Sequence, residues 1–166
     1  MAEGSWDATL EEWVVQGGAC YAAGIAKLED GYFYAAAPQE GEAGWGFIYK
    51  EDYKEKVLQP DGETEKDMDI WEAAGLKSAI ESGKKPDWGL WLGGQKYNIT
   101  RYEADFESGD HTMKVLFCQR PKGGVLIASS TSQIVAGFYD EEKGQTAGNA
   151  KKAVTDFAAY LMSMDM

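Results

Sequence analysis

Five short apolar segments follow one another at hairpin distance in the second half of the chain, and the tightest join among them is a glycine pair, Gly93-Gly94. The segments are Gly89–Leu92, Lys96–Tyr102, Thr112–Cys118, Val125–Ser129 and Ile134–Tyr139, each rich in β-branched or aromatic residues, with a second pair, Gly123-Gly124, before the fourth. Parallel strands need crossovers of a dozen or more residues, so strands this close in sequence form an antiparallel meander. The Gly93-Gly94 step itself has two readings. A phosphate cradle needs a helix after it, usually with further glycines or a Lys-Ser/Thr pair at fixed spacing. The residues after this pair, Gln95-Lys96-Tyr97-Asn98-Ile99, are strand-like instead. The pair therefore reads as a glycine corner inside an antiparallel sheet, binding nothing itself.

Helical patterns frame these strands. Ser5 is a candidate N-cap, and Trp6, Leu10, Trp13 and Val14 recur on one face of an amphipathic helix that ends at Gly17-Gly18. Cys20 to Ala26 and Tyr32 to Ala36 read as two strands joined around Glu29-Asp30-Gly31. An acidic, glycine-containing loop at about 39–44 precedes a short amphipathic piece, Trp45 to Tyr53. Lys54 to Asp69, with Pro60-Asp61-Gly62 at its centre, carries too few apolar residues for core and reads as an exposed hairpin arm. Asp69-x-x-Glu72 resembles a capping box at the start of a helix with Ala73, Leu76, Ala79 and Ile80 on one face, stopped by Ser82-Gly83 and kept from resuming by Pro86. A last helix begins near Ala147, with Ala150, Val154, Phe157, Ala158 and Leu161 as its stripe. Helices at both ends and a sheet between them predict an α+β sandwich, one compact domain over residues 1–166.

A formal net charge of −12 works against nucleic acid and anionic membranes as partners of the protein as a whole. The charge is uneven. Residues 1–110 hold 10 Lys/Arg against 23 Asp/Glu, whereas residues 111–166 hold 6 against 5. One reading is ordinary solubility. The other is a cationic C-terminal face, made by Lys114, Arg120, Lys122, Lys151 and Lys152, for an acidic partner. The first residues lack the basic start and apolar stretch of a signal peptide, which points to the cytosol. Cys20 and Cys118 match no metal spacing and read as small buried thiols in a reducing compartment, although the sequence leaves a bridge between them open.

Catalytic chemistry finds no support. The only histidine, His111, sits in turn-like Ser108-Gly109-Asp110-His111 with no nucleophile motif nearby. Asp140-Glu141-Glu142 lacks the alternating ligands of a calcium loop and reads as a solvated turn. No cofactor or metal is expected. The aromatic residues remain: Trp6 and Trp13 near the start, Tyr32 and Tyr34 on an early strand, Tyr160 near the end. Such residues pack terminal helices onto a sheet, and aromatic grooves of indole and phenol donors also hold polyproline II segments. Spacing alone favours packing.

Taken together, the segments resemble the profilin family across the chain and in order. SWDATLEEWV (Ser5 to Val14) resembles its Trp-containing first helix, GLWLGGQKY (Gly89 to Tyr97) its G-x-x-L-G-G-x-K-Y segment, PKGGVLI and QIVAGFYDE (Pro121 to Ile127, Gln133 to Glu141) the next two strands, and GNAKKAVTDFAAYL (Gly148 to Leu161) its last helix. The acidic loop, the arm and YDEEK (Tyr139 to Lys143) resemble the apicomplexan-type branch, known for an added acidic loop and a projecting β-hairpin. The resemblance implies a central antiparallel meander with both terminal helices on one face and short helices on the other. It implies a non-enzymatic, cytoplasmic, cytoskeleton-associated monomer that binds monomeric actin, acts on its nucleotide exchange and polymerisation, and captures proline-rich segments of formins. The implied actin contacts are Arg101, Lys114, Arg120, Lys122, Gly148, Lys151, Lys152, Thr155 and Asp156, facing an acidic region of actin. The implied polyproline groove comprises Trp6, Tyr34, Tyr160 and Leu161, with Trp13 as a substitute for the aromatic that commonly stands where this chain has Thr9. The family also implies weak phosphoinositide binding at Arg120, Lys122, Lys151 and Lys152, which the net charge opposes. The competing expectation is a profilin-fold adaptor or lipid-responsive regulator with weak or lost actin binding.

Overall fold

The computed structural model describes residues 4–38, 43–50, 53–59, 61–84 and 89–166. Residues 39–42 of the expected acidic loop, Pro60 of the arm turn and Pro86 lie outside them. Seven antiparallel strands form the central sheet: β1 (Ala22–Lys27), β2 (Phe33–Ala37), β5 (Leu90–Leu92), β6 (Gln95–Ser108), β7 (His111–Arg120), β8 (Gly123–Ser129) and β9 (Gln133–Asp140). Their spatial order is β2-β1-β9-β8-β7-β6-β5, so the expected meander forms from β5 to β9 and the β1–β2 hairpin extends its far edge. Between β2 and β5 come α2 (Ala43–Ile48), the separate hairpin β3 (Tyr53–Leu58) and β4 (Glu65–Ile70), and α3 (Glu72–Ser82). α1 (Gly4–Leu10) opens the chain and α4 (Ala147–Met162) closes it.

The sheet separates two cores. On one face Leu10, Val14, Val154, Phe157 and Leu161 of the terminal helices pack on Val115, Leu126 and Val135. On the other, Ile48, Leu76 and Ile80 pack on Leu90, Leu116, Ile127 and Phe138. Strand periodicity does the sorting: Met113 and Val115 of β7 face α4, while Leu116 and Cys118 face α3. β8 is buried on both faces, hence its unbroken apolar run. The terminal helices on one face and α2 and α3 on the other give the α+β architecture expected from sequence. No described helix is long and apolar enough to cross a membrane.

α4 packs tightly on the sheet at Gly137, where an added Cβ would meet Val154 Cγ2 at 2.5 Å and Cys20 Sγ at 2.9 Å. Gly137→Ala is therefore expected to destabilise the fold by about 1–3 kcal/mol through overpacking. A urea midpoint equal to that of the parent protein would contradict this close packing.

Several local expectations are corrected. The first helix starts at Gly4, so Ser5 lies inside it, and from Glu11 to Val15 it continues as a π-helical turn. β6 and β7 are longer than their apolar runs: the acidic stretch Glu103–Glu107 pairs with β7 despite a bulge between Glu103 and Phe106, and a turn at Gly109-Asp110 puts His111 in β7, opposite Ser108. Cys20 lies in one core and Cys118 in the other, both as free thiols, so the sheet separates them and no bridge forms. Burial pushes the Cys20 thiol up to about 12.

The arm is present as expected, with Tyr53 opposite Ile70 and Leu58 opposite Glu65. At its tip Asp61 accepts hydrogen bonds from Thr64 Oγ1 (2.6 Å) and from the amides of Thr64 and Glu63 (both 2.9 Å), which lower its carboxyl to about 2. Its root is fixed by a residue the capping-box pattern misassigns. Asp69 belongs to β4, and α3 begins at Glu72 after Trp71, which supplies no side-chain cap. The Glu72 side chain instead turns inward and is 1% exposed. Its Oε1 accepts from the amides of Lys50 (3.0 Å) and Gly93 (2.8 Å), and its Oε2 from the Gly94 amide (2.9 Å) and Tyr53 Oη (2.7 Å). Both glycines have positive φ, 61° and 80°, as a two-residue hairpin turn between paired Leu92 and Gln95 requires. The corner reading is right about the backbone, yet these amides do hold an anion, and the chain supplies it.

Candidate functional surfaces

The terminal helices meet at Trp13. Its indole stacks on Tyr160 (centroids 4.8 Å apart, planes at 22°) and meets Phe157 edge-on at 5.8 Å, while remaining 40% exposed. Leu10 and Val14, its neighbours on the apolar face, are wholly buried, so Trp13 is the ring this helix leaves at the surface. Trp6 and Tyr34 are half-buried against the same core. Tyr34 Oη donates to Gln133 Oε1 at 2.7 Å, and burial raises its phenol to about 12. Leu161 is fully buried and has no surface to offer a ligand, so its place is beneath the aromatic layer. Beside Trp13 lies a cleft of about 480 Å³ walled by Gly17, Gly18 and, from α4, Asn149, Lys152 and Asp156.

The nine residues implied for actin do not form one face. Arg101 and Lys151 come together on Glu103: Lys151 Nζ lies 3.1 Å and Arg101 Nε 3.5 Å from its Oε1. Lys151 also sits 4.3 Å above the Phe106 ring, and Arg101 lies over Phe117 at 5.8 Å. Gly148, Lys152, Thr155 and Asp156 share α4 with Lys151, but Thr155 is buried with its hydroxyl donating to the Lys151 carbonyl at 2.7 Å. Lys114 and Arg120 occupy even positions of β7 with Leu116 and Cys118, and so project to the opposite side of the sheet. Lys114 Nζ there reaches the Glu81 carbonyl at the end of α3 (3.3 Å), and Arg120 Nη2 reaches Tyr21 Oη (3.4 Å). Lys122, in the β7–β8 turn, pairs with Glu142 at 3.1 Å, so the single cationic face read from the charge count is divided: Lys151 and Lys152 stand on α4, Lys114 and Arg120 project to the other side of the sheet with different partners, and Lys122 belongs to neither.

Sequence reasoning missed Glu103, the carboxylate that assembles the Arg101–Lys151 pair, because a glutamate in an acidic strand carries no mark of its partners. Three of the four residues implied for phosphoinositides also have acidic partners: Lys122 with Glu142 (3.1 Å), Lys152 with Asp156 (2.8 Å) and Lys151 with Glu103. An anionic headgroup would compete with these carboxylates for the same ammonium groups.

The profilin family model matches residues 4–166. The chain is 36% identical over 165 residues to a profilin of Plasmodium falciparum, covering 96% of this chain and 95% of that one. It is 33% identical over 168 residues to a profilin of Plasmodium berghei, covering 98% and 95%. Among solved structures, Acanthamoeba castellanii profilin IA superposes with a TM-score of 0.64 at 21% identity, over 97% of this chain and 99% of that one. Mouse profilin IIa in complex with a double repeat from the FH1 domain of mDia1 gives 0.56 at 17% identity, over 97% and 99%. These two share the fold with this chain, and the Plasmodium relatives align with its sequence along nearly its whole length. The chain accordingly belongs to the profilin family, in its apicomplexan-type branch, and is a non-enzymatic protein.

Proposed function

We propose that this profilin binds monomeric actin, regulates its polymerisation and nucleotide exchange, and holds proline-rich segments of formin-type assembly factors in the groove between its terminal helices. The observation that carries the reading is the exposed Trp13–Tyr160 stack. An indole fixed against a phenol, with one face open, suits the rings and free carbonyls of a polyproline II segment. Support from the relatives is of the same kind, since a fold neighbour is solved with an FH1 repeat. For actin, the reading rests on family membership and on the Arg101–Glu103–Lys151 cluster, a cationic pair set on an aromatic bed at the edge of α4.

Two features of the site choose the test. Lys152 lines the cleft beside Trp13, so altering it perturbs both proposed surfaces, whereas Arg101 and Lys151 lie over Phe117 and Phe106. Arg101→Ala with Lys151→Ala is expected to weaken actin-monomer binding about tenfold, roughly the 1.4 kcal/mol that separates decades of affinity, while octaproline binding is unchanged. Pyrene-actin assembly and monomer titration read the first quantity and calorimetry the second. Unchanged actin affinity at low salt would remove this cluster from the proposed interface.

A further inference from the structure

A second pair of aromatic rings lies exposed on the α3 side of the sheet, away from the Trp13 stack. Tyr32, just before β2, and Trp71, just before α3, are 42% and 46% exposed. The chain brings them together by packing the β1–β2 turn on the first turn of α3: Gly31 lies so close to the Ala73 carbonyl that an added Cβ would sit 2.1 Å from its oxygen. Trp71 Nε1 donates to Tyr32 Oη at 3.1 Å, and Tyr49 braces Tyr32 edge-on at 6.4 Å. The rings open on a predominantly apolar cleft of about 520 Å³ that runs along α3 past the small side chains of Ala74 and Ser78.

We propose that this cleft is a second peptide site, taking a proline-rich segment that carries a basic residue. Three features favour that occupant. The rings are held in place by the indole–phenol bond and by Tyr49, so little side-chain entropy is lost when a proline ring packs on them. Tyr32 Oη accepts the indole hydrogen and keeps its own to donate, which answers the unbonded carbonyls of a polyproline II chain. The charge around the cleft is acidic: Lys77 is taken by Glu81, whose two oxygens both lie 2.9 Å from Nζ, leaving Asp30 as the uncompensated charge among the described residues of the lining, on a chain of net charge −12. A cation beside the proline core would meet that carboxylate and the Trp71 face. The site is independent of the actin reading and shares only its ligand class with the Trp13 groove. Occupied together, the two sites would let one chain with several proline tracts bind twice.

The test follows the indole N–H resonances by NMR, with ¹⁵N-labelled protein, while three peptides are added: eight prolines flanked by arginines, octaproline, and the same arginines flanking a Gly-Ser spacer. In the Trp13→Ala variant the arginine-flanked proline peptide is expected to shift the Trp71 indole resonance. Adding Trp71→Ala should weaken its binding at least tenfold. Tyr32→Phe, which keeps the ring and removes the donor, should weaken it several-fold, and added salt should weaken it further. If Trp13→Ala abolishes every peptide-induced shift, the second site is overturned and the first upheld. If only Trp71→Ala and Tyr32→Phe reduce binding, the second is upheld and the first overturned. Equal binding of the Gly-Ser peptide would also overturn the proposal, since the cleft would then be selecting charge alone.

Discussion

Glu72→Ala is expected to lower stability by about 3 kcal/mol, because it strips four donors of one buried acceptor at a single point. For a domain of this length that is a fall in Tm of roughly 10 °C. The loss is more than local. The carboxylate joins the α3 N-terminus, the β5–β6 turn and both the Lys50 and Tyr53 approaches to the arm, so the arm root should gain amide hydrogen exchange before the sheet does. Glu72→Gln keeps one acceptor oxygen but sets an NH2 group against a donor, so it should fall between parent and alanine variant. A second readout is the Tyr53 phenol. Burial, followed by the bond to Glu72, holds it well above the ordinary tyrosine value, and without Glu72 it should titrate at lower pH in a spectrophotometric titration. An alanine variant that melts within about 2 °C of the parent, well inside that expected shift, would show that water replaces the carboxylate at no cost.

The same residue marks where reading a sequence stops. Hairpin spacing from Gly89 onward was enough for the meander, and the stripe Ala150, Val154, Phe157, Ala158 and Leu161 enough for α4, because period and turn chemistry are local properties. Glu72 looked like a capping-box glutamate because its true partners, Gly93 and Gly94, lie 21 and 22 residues away and act through their amides, which no side-chain pattern records. Charge fared likewise. Lys114, Arg120 and Lys151 count together along the chain, but strand alternation puts the first two on the opposite side of the sheet from α4, Lys114 at the end of α3 and Arg120 beside Tyr21, while Lys151 of α4 lies over Phe106. Trp71 carries no local mark for a similar reason: only the packing of Gly31 on α3 makes it Tyr32's neighbour.

Trp13→Ala should have the largest effect on ligand binding. A central aromatic anchor contributes on the order of 2 kcal/mol, so octaproline affinity measured by calorimetry is expected to fall about 30-fold. The cost to the fold should be smaller, near 1 kcal/mol, since the ring is 40% exposed and leaves no sealed cavity. The prediction bears on Thr9, where the family resemblance implies an aromatic that this chain lacks. Trp13 lies seven residues after Trp6, two helical turns on, and the π-helical segment that carries it ends against Tyr160. If Trp13 has taken over the anchoring role, Tyr160→Ala should cost nearly as much as Trp13→Ala. The double variant should cost less than the sum of the two, because each ring holds the other in place and the stack itself is worth about 1 kcal/mol. Additive losses would mean that the rings act separately. A Trp13→Ala protein that binds octaproline within twofold of the parent would move the groove toward Trp6 and Tyr34, leaving the Trp13–Tyr160 stack as the seam that joins the two helices.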